Sequence, residues 1–444
     1  MNIIPKFLVK KLQYPDRLRK IFENLAWLFA DKILRLSAGL LIGVWIARYF
    51  GPEQFGLFSY AMSFLGLFGA IAGLGLQGIV VRNIVCDPES SNVTLGTAAI
   101  LQFIAGFFAY GLMLITIFWL RPTDTYAKIL ISILGLTFFF KFSDVAIFWF
   151  ESQIESKYTV WVQNFCFILF VAIKIWLILI HSSIVAFAWA TVAEGLAVAL
   201  LMVYALHLRD SKLSKIYFSF ECAKMLLKDS WPMLLSALSI GVYMKIDQIM
   251  LGQMLGNEAV GIFTAATRIS EAWYFIPMMI VSTVFPSMLE IKNNNEIQFD
   301  RRMQNLYDLM ALISIGVAIP MTLLSTPLVV ILYGDSFAPS GLILAIHIWA
   351  GVFVSLGVAS GQWLLAQNIQ ILLFYRTLIG AFINIIMNII LIPKYGVLGA
   401  AISTVISQLF VGLLLDVFRN ETRKIGLMKI KAFNLFRIYR FVKG

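Results

Sequence analysis

Charge is what this sequence has least of. Only 13% of its 444 residues are Asp, Glu, Lys or Arg, while 60% are apolar and the mean hydropathy is +0.86. Soluble domains carry about a quarter charged residues, so a soluble fold is excluded. Cysteine is scarce as well. Cys86, Cys166 and Cys222 are odd in number, far apart and form no C-x-x-C pair, so neither a disulfide framework nor a zinc site is indicated. His181, His207 and His347 form no H-x-x-x-H pair of ligands. The sequence has no GxxxxGK[ST] phosphate loop to couple ATP. No cleavable leader is expected, because the apolar run from Leu36 to Ile46 lies deep in the chain and continues as an ordinary span.

What is present is hydrophobic length. A membrane span needs roughly 20 apolar residues, and reading apolar stretches between Gly, Pro and charge predicts twelve spans. They are 22–48, 54–81, 94–119, 127–150, 158–180, 184–207, 230–252, 257–289, 303–333, 341–366, 371–392 and 396–418. An even count puts both termini on one side. That side collects 25 basic residues, whereas the other holds Arg48, Arg121, Lys128 and Lys394. Cytoplasmic flanks are enriched in Lys and Arg, so both termini are expected in the cytoplasm. The net charge of +11 is therefore topology information, and nucleic acid is not expected as a partner.

The opposite loops are Gly51–Glu53, Arg121–Tyr126, His181–Ser183, Gly252–Gly256, Gly334–Ser340 and Pro393–Gly396. They are too short for the acceptor-holding loop that a polytopic glycan polymerase or ligase needs. The organisation expected is a basic segment at 1–21, a first lobe at 22–207, a loop at 208–229, a second lobe at 230–418 and a basic tail at 419–444. Residues 424–443 interleave aromatic and aliphatic side chains with Lys and Arg. Both an interfacial helix on anionic lipid and a plain juxtamembrane anchor fit that pattern.

The chain repeats itself. GPEQFGLFSYA (Gly51–Ala61) and GNEAVGIFTAA (Gly256–Ala266) share five of eleven residues at an offset of 205, each between the first two spans of its half. A weaker echo joins Ile184–Thr191 to Val397–Thr404 at an offset of 213. Six spans separate the copies, so they keep one membrane orientation, and an all-α bundle of two parallel six-helix lobes around a central cavity is expected.

Charges inside spans cost several kcal/mol unless they face water or a partner. Asp31 with Arg35, Lys141 with Asp144 and Arg268 with Glu271 stand one helical turn apart and can neutralise each other. Lys174 and Glu194 have no such neighbour, which makes them candidates for a hydrated lumen. Lys245 and Asp247 are two apart, so one of them needs a partner elsewhere. Asn384 and Asn388 share a helix face, and Thr404 follows in the next span. With Asp247 and a freed backbone carbonyl, these supply oxygens of the kind a hard monovalent cation requires. Simple amide hydrogen bonding between packed helices is the other reading.

ARYFGPEQFGLFSYAMSF (Ala47–Phe64), IDQIMLGQMLGNEAVGIFTAATRISEAWYFIP (Ile246–Pro277), FPSML (Phe285–Leu289), LYGDSF (Leu332–Phe337) and NIIMNIILIPKYGVLGAAISTVIS (Asn384–Ser407) resemble the polysaccharide-transporter branch of the MATE-like superfamily, which contains the Wzx-type O-antigen flippases. The resemblance runs from about residue 20 to 420. It implies a multi-pass protein of the bacterial inner membrane that moves undecaprenyl-diphosphate-linked oligosaccharide between leaflets by alternating access. It also implies membrane lipid, a polysaccharide polymerase and a chain-length regulator as partners. A multidrug cation antiporter of the same superfamily is the alternative. A related lipid II flippase group binds sodium on its seventh, eleventh and twelfth helices. Asp247, Asn384, Asn388, Thr404 and the carbonyl of Ala400 stand at matching spacings, with Asn388 in place of a second carboxylate. No tightly bound cofactor is implied; the coupling ion is Na+ or H+. Of the arginines that this group sets around the lipid diphosphate, Arg268 has its match, whereas Ile42 falls where the first-span arginine would be. Arg35 stands about two turns nearer the cytoplasm. The substrate-binding set expected is therefore Arg268, Arg35, Lys174, Lys245 and Glu194.

Overall fold

A computed structural model of the chain describes residues 16–209, 217–367, 369 and 371–434. Most of the expected basic segment at 1–21, the centre of the 208–229 loop and the end of the tail lie outside these residues. Among those described there is helix and no strand. The helices are α1 (Asp16–Gly73), α2 (Gln77–Cys86), α3 (Ser91–Leu120), α4 (Thr125–Gly135), α5 (Asp144–Ser152), α6 (Lys157–Leu179), α7 (Ile184–Arg209), α8 (Phe220–Met254) and α9 (Asn257–Glu271). They continue as α10 (Phe275–Asn294), α11 (Glu296–Tyr333), α12 (Ser340–His347), α13 (Ala350–Ala366), α14 (Ile371–Tyr395), α15 (Val397–Leu409), α16 (Leu415–Phe418) and α17 (Arg423–Lys431).

Ten helical stretches among the described residues are long and apolar enough to cross a membrane, against twelve spans expected. The difference lies at two breaks. Ser37–Cys86 counts once, although Gly51 interrupts the helix there with φ 70° and ψ 176°. The stretch expected at 257–289 is divided between α9 and α10 by a 3-10 turn at Ala272–Tyr274 and is not one of the ten. The fourth span also changes winding, with a 3-10 segment at Leu136–Ser143 between α4 and α5.

The described chain forms two compact units. One runs through Gly39 and adds Ile71–Leu112 and Ile133–Leu234; the other takes Leu40–Ala70, Met113–Ser132 and everything from Leu235. Residues 40–70 and 113–132, expected in the first lobe, thus pack with the second half of the sequence. The first unit is centred on Leu76, Val80, Leu95, Trp149, Phe150, Met202 and Leu226. The second is centred on Val281, Met288, Phe299, Met303, Tyr307, Leu356 and Leu364.

Inside the second unit, the two copies of the repeated turn meet. Gly51 and Gly256 both carry a positive φ that an L side chain rarely adopts, and each starts a helix. A Cβ on Gly56 would fall 1.8 Å from the Asn257 carbonyl oxygen, and one on Gly261 would fall 2.0 Å from the Pro52 carbonyl oxygen. The positions are equivalent: Gly56 and Gly261, and Pro52 and Asn257, are each 205 residues apart. The crossing therefore repeats its own contact about a local two-fold axis, with small residues letting backbones touch as they do between membrane helices. Arg121 holds the same end of the unit. Its guanidinium donates to the Gly252 carbonyl, to Asn257 Oδ1 at 2.7 Å and to Asp124 Oδ2 at 2.9 Å. It also lies 4.0 Å over the Tyr60 ring.

Two of the 25 basic residues counted on the cytoplasmic side are buried. Arg376 on α14 is buried, and Lys429 on α17 is 0% exposed. In the stretch 424–431, Ile425, Gly426 and Lys429 are buried, whereas Lys424, Leu427, Ile430 and Lys431 are exposed. Residues 435–443 of that tail lie outside the described residues.

Candidate functional site

Three helices build a polar constellation in the second unit. α8 brings Asp247, α14 brings Asn384 and Asn388 four residues apart on one face, and α15 brings Thr404 with the carbonyl of Ala400. Asn388 Nδ2 donates to Asp247 Oδ1 at 2.6 Å and to Asn384 Oδ1 at 3.0 Å. Thr404 Oγ1 lies 2.7 Å from Asp247 Oδ2 and 3.0 Å from the Ala400 oxygen. Asp247, Asn384 and Asn388 are buried. All five residues singled out in the sequence are therefore in one place.

Two buried amide atoms there, Asn388 Oδ1 and Asn384 Nδ2, have no hydrogen-bond partner. A buried polar atom without a partner costs about 1–3 kcal/mol. The arrangement explains itself if the Asn388 amide can turn end for end. Its Oδ1 then joins Asp247 Oδ1 and Asn384 Oδ1 where the amide NH2 now sits. With Asp247 Oδ2, Thr404 Oγ1 and the Ala400 carbonyl close by, the residues offer a small hard cation an all-oxygen shell. With Nδ2 inward, as found, the amide hydrogens balance the carboxylate instead.

Charged side chains continue from this cluster. Glu271, at the end of α9, interacts electrostatically with Lys245, Asp247 and Arg268. Arg268 sits one turn earlier, with its guanidinium 5.0 Å over the Phe55 ring. Its Nη1 lies 2.2 Å from where a Cβ on Gly43 would stand, so Gly43 makes the room the arginine occupies. The stem of Lys245 packs beside Gly66. Carboxylate, cation and polar cluster thus alternate within the unit.

The other candidates lie in the first unit. Lys174 and Glu194, neither with a neighbour in sequence, pair with each other across the α6–α7 hairpin at 2.7 Å, with side chains 16% and 21% exposed. Arg35 lies 5.5 Å over the Phe167 ring, and both Arg35 and Glu194 act electrostatically on Cys166. Lys141 pairs with Asp144 at 3.0 Å, as the spacing predicts. The side chain of Asp31, expected beside Arg35, is not among those described.

A pair this shielded is tested by a double-mutant cycle. Lys174→Met alone leaves Glu194 without its counter-charge and is expected to cost about 1–3 kcal/mol of stability. Lys174→Met/Glu194→Gln is expected to recover most of it in thermal unfolding of the purified protein.

Sequence reasoning missed several polar contacts. Ser63 donates to Gln248 Oε1, one residue from Asp247, and Ser270 Oγ lies 2.6 Å from His347 Nδ1. Their partners are 185 and 77 residues apart, beyond any local spacing rule.

Comparison with known proteins adds the following. The profile of a family described as "Polysaccharide biosynthesis protein" matches residues 45–342. A Shigella flexneri protein named for O-antigen transport is 25% identical over 431 residues, covering 89% of this chain and 97% of its own. The capsular polysaccharide biosynthesis protein CapF of Staphylococcus aureus is 23% identical, with 88% and 97% covered. Among solved structures, the lipid II flippase MurJ in an inward closed conformation superposes with a TM-score of 0.74 at 16% identity, covering 93% of this chain and 91% of that one. An inward-facing MATE family multidrug resistance transporter superposes with a TM-score of 0.66 at 18% identity, with 92% and 95% covered. The fold is thus that of the MurJ and MATE transporters.

Proposed function

The chain belongs to the polysaccharide biosynthesis protein family matched over residues 45–342, and from that premise we propose that this multi-pass membrane protein is a flippase for undecaprenyl-diphosphate-linked O-antigen or similar polysaccharide repeat units. It takes them from the cytoplasmic to the periplasmic leaflet of the inner membrane by alternating access, with both termini in the cytoplasm.

The observation that carries this reading is the alternation of Arg268, Glu271 and the Asp247 cluster in one unit. Arg268 is a planar, permanently charged fork of the kind that grips phosphate oxygens in two places, and it is held open by Gly43 and Phe55 instead of being consumed by a bidentate ion pair. Glu271, interacting with Lys245, Asp247 and Arg268, transmits charge between the cation cluster and the arginine. When Arg268 is engaged by a diphosphate, Glu271 is released toward Lys245; when it is not, Glu271 compensates the guanidinium. A Na+ or H+ at Asp247, Asn384, Asn388, Thr404 and the Ala400 carbonyl supplies the driving force. Lys245, in the same unit, is a further cation for the diphosphate; Arg35, Lys174 and Glu194 form, within the first unit, a separate polar set of the kind a sugar needs. Relatives named for O-antigen transport and for glycan flipping support the cargo class.

Arg268→Ala is the direct test in cells whose surface glycan depends on this chain. Losing a charge-assisted bidentate contact costs about 1.5–3 kcal/mol, so export should fall roughly 10- to 100-fold. Arg268→Lys should fall between the two because it keeps the charge and loses the fork. Unchanged export from Arg268→Ala would overturn the assignment, and competition by organic cations would favour a drug antiporter.

A further inference from the structure

Lys429 is the most deeply buried cation among the described residues, and it belongs to a helix that follows the last span. α17 folds back so that Lys429 Nζ uses all three of its hydrogens. It donates to Ser360 Oγ at 2.9 Å, to the Gly412 carbonyl at 2.6 Å and to Asp416 Oδ2. Arg376 donates to the other oxygen of Asp416 and to Ser360 Oγ at 3.2 Å. Gln304 Nε2 bonds the Met428 carbonyl at 2.8 Å, and Lys424 pairs with Asp300 at 2.5 Å. A fully saturated buried ammonium on a terminal helix is costly to assemble and unnecessary for anchoring alone.

Its place in the last span gives it a task. Between α15 and α16 the chain makes a π-turn at Phe410–Leu414, and Gly412, whose carbonyl Lys429 holds, lies inside it. An α-helix advances about 100° per residue through i→i+4 bonds, whereas a π-turn closes at i→i+5. The turn therefore sets the rotational phase between the two ends of the span. One end presents Ala400 and Thr404 to Asp247. The other presents Asp416 to Arg376 and Lys429.

α14 runs antiparallel to this span and is tied to it at the same two levels. Arg376, Asn384 and Asn388 are all on the buried side of α14. Arg376 grips Asp416 at one end, and Asn384 and Asn388 meet the Asp247 and Thr404 cluster at the other. Both ties hold together only while the π-turn between them keeps its register. Relaxed to an α-helix, the span would turn Thr404 and Ala400 away from Asp247 as long as Asp416 stayed bound.

We propose that Lys429 is a positioning residue for the Asp247 cluster, holding the π-turn of the last span in the phase that faces Thr404 and Ala400 toward Asp247. The C-terminal helix thereby becomes a handle on ion coupling. This rests on the cation-coupled reading above.

The test uses the full-length purified protein and follows its thermal unfolding midpoint as sodium replaces choline at constant ionic strength, and separately across pH 5.5 to 8. The wild-type midpoint is expected to respond to one of the two cations. Lys429→Met is expected to raise the half-saturating cation concentration tenfold or more. Ser360→Ala, which leaves Asp416 between both cations, is expected to raise it about threefold, and it decides the matter if Lys429→Met fails to accumulate in the membrane. Loss of packing alone would lower the midpoint without moving half-saturation. A responsive wild type whose variants keep its half-saturation would overturn this inference and leave the coupling site standing. A wild type that responds to neither cation would overturn both.

Discussion

Alanine at Gly261 is expected to stop transport while the protein still reaches the membrane, and alanine at Gly56 should do the same. At each position the added methyl would meet a carbonyl oxygen of the facing helix at 2.0 Å or less. Backbone has no rotamer with which to move aside, so the helices must separate. Overpacking of this kind costs about 1–3 kcal/mol. The two substitutions relieve each other, because helices already pushed apart by one methyl have room for the second. Unfolding of the single and double variants should therefore give a double-mutant cost clearly below the sum. Additive costs would mean that the two glycines are not in one contact.

The second large effect is expected from Asp247→Asn. Asp247 accepts from Asn388 Nδ2 and from Thr404 Oγ1, and it is the only carboxylate in that cluster. The substitution sets a second amide against Asn388, removes the charge and breaks a charge-assisted hydrogen bond worth about 1.5–3 kcal/mol. Export should fall at least tenfold. More telling, the remaining activity should no longer respond to sodium or to pH. Residual transport with an unaltered cation dependence would place coupling at another residue.

How far these sites were legible from sequence depended on the reach of each contact. The spacing of Asn384 and Asn388 is a local property of one helix, and their convergence with Asp247 and Thr404 followed from a resemblance that keeps those positions in order. The repeat was equally visible, since Gly51–Ala61 and Gly256–Ala266 share residues at a constant offset. That the copies lie against each other through Gly56 and Gly261 was not, because a repeat says nothing about whether its copies touch.

The Lys174 and Glu194 pair spans a hairpin of two helices, which no turn-spacing rule reaches. The burial of Lys429 and Arg376 was not legible in the sequence, for a physical reason. Cation counting at span ends assumes that a flanking Lys or Arg is solvated, and these two are buried because Asp416 and Ser360 satisfy them. The π-turn at Phe410–Leu414 carries no signal in composition or periodicity. Gly51 breaks the helix between the first two expected spans, and a sequence can only suggest that break, because glycine permits the required φ and does not demand it.

Under the proposed function, this chain moves a diphosphate-linked glycan lipid across a bilayer and is driven by a cation. The most direct measurement reconstitutes the purified protein into vesicles holding a fluorescent undecaprenyl-diphosphate-linked oligosaccharide, with a membrane-impermeant quencher reporting which leaflet the label occupies. An imposed sodium or proton gradient is expected to accelerate the change of leaflet in wild-type vesicles, Arg268→Ala should slow it roughly 10- to 100-fold, and Asp247→Asn should make it indifferent to the gradient. Movement no faster than in protein-free vesicles, under either gradient, would contradict the account.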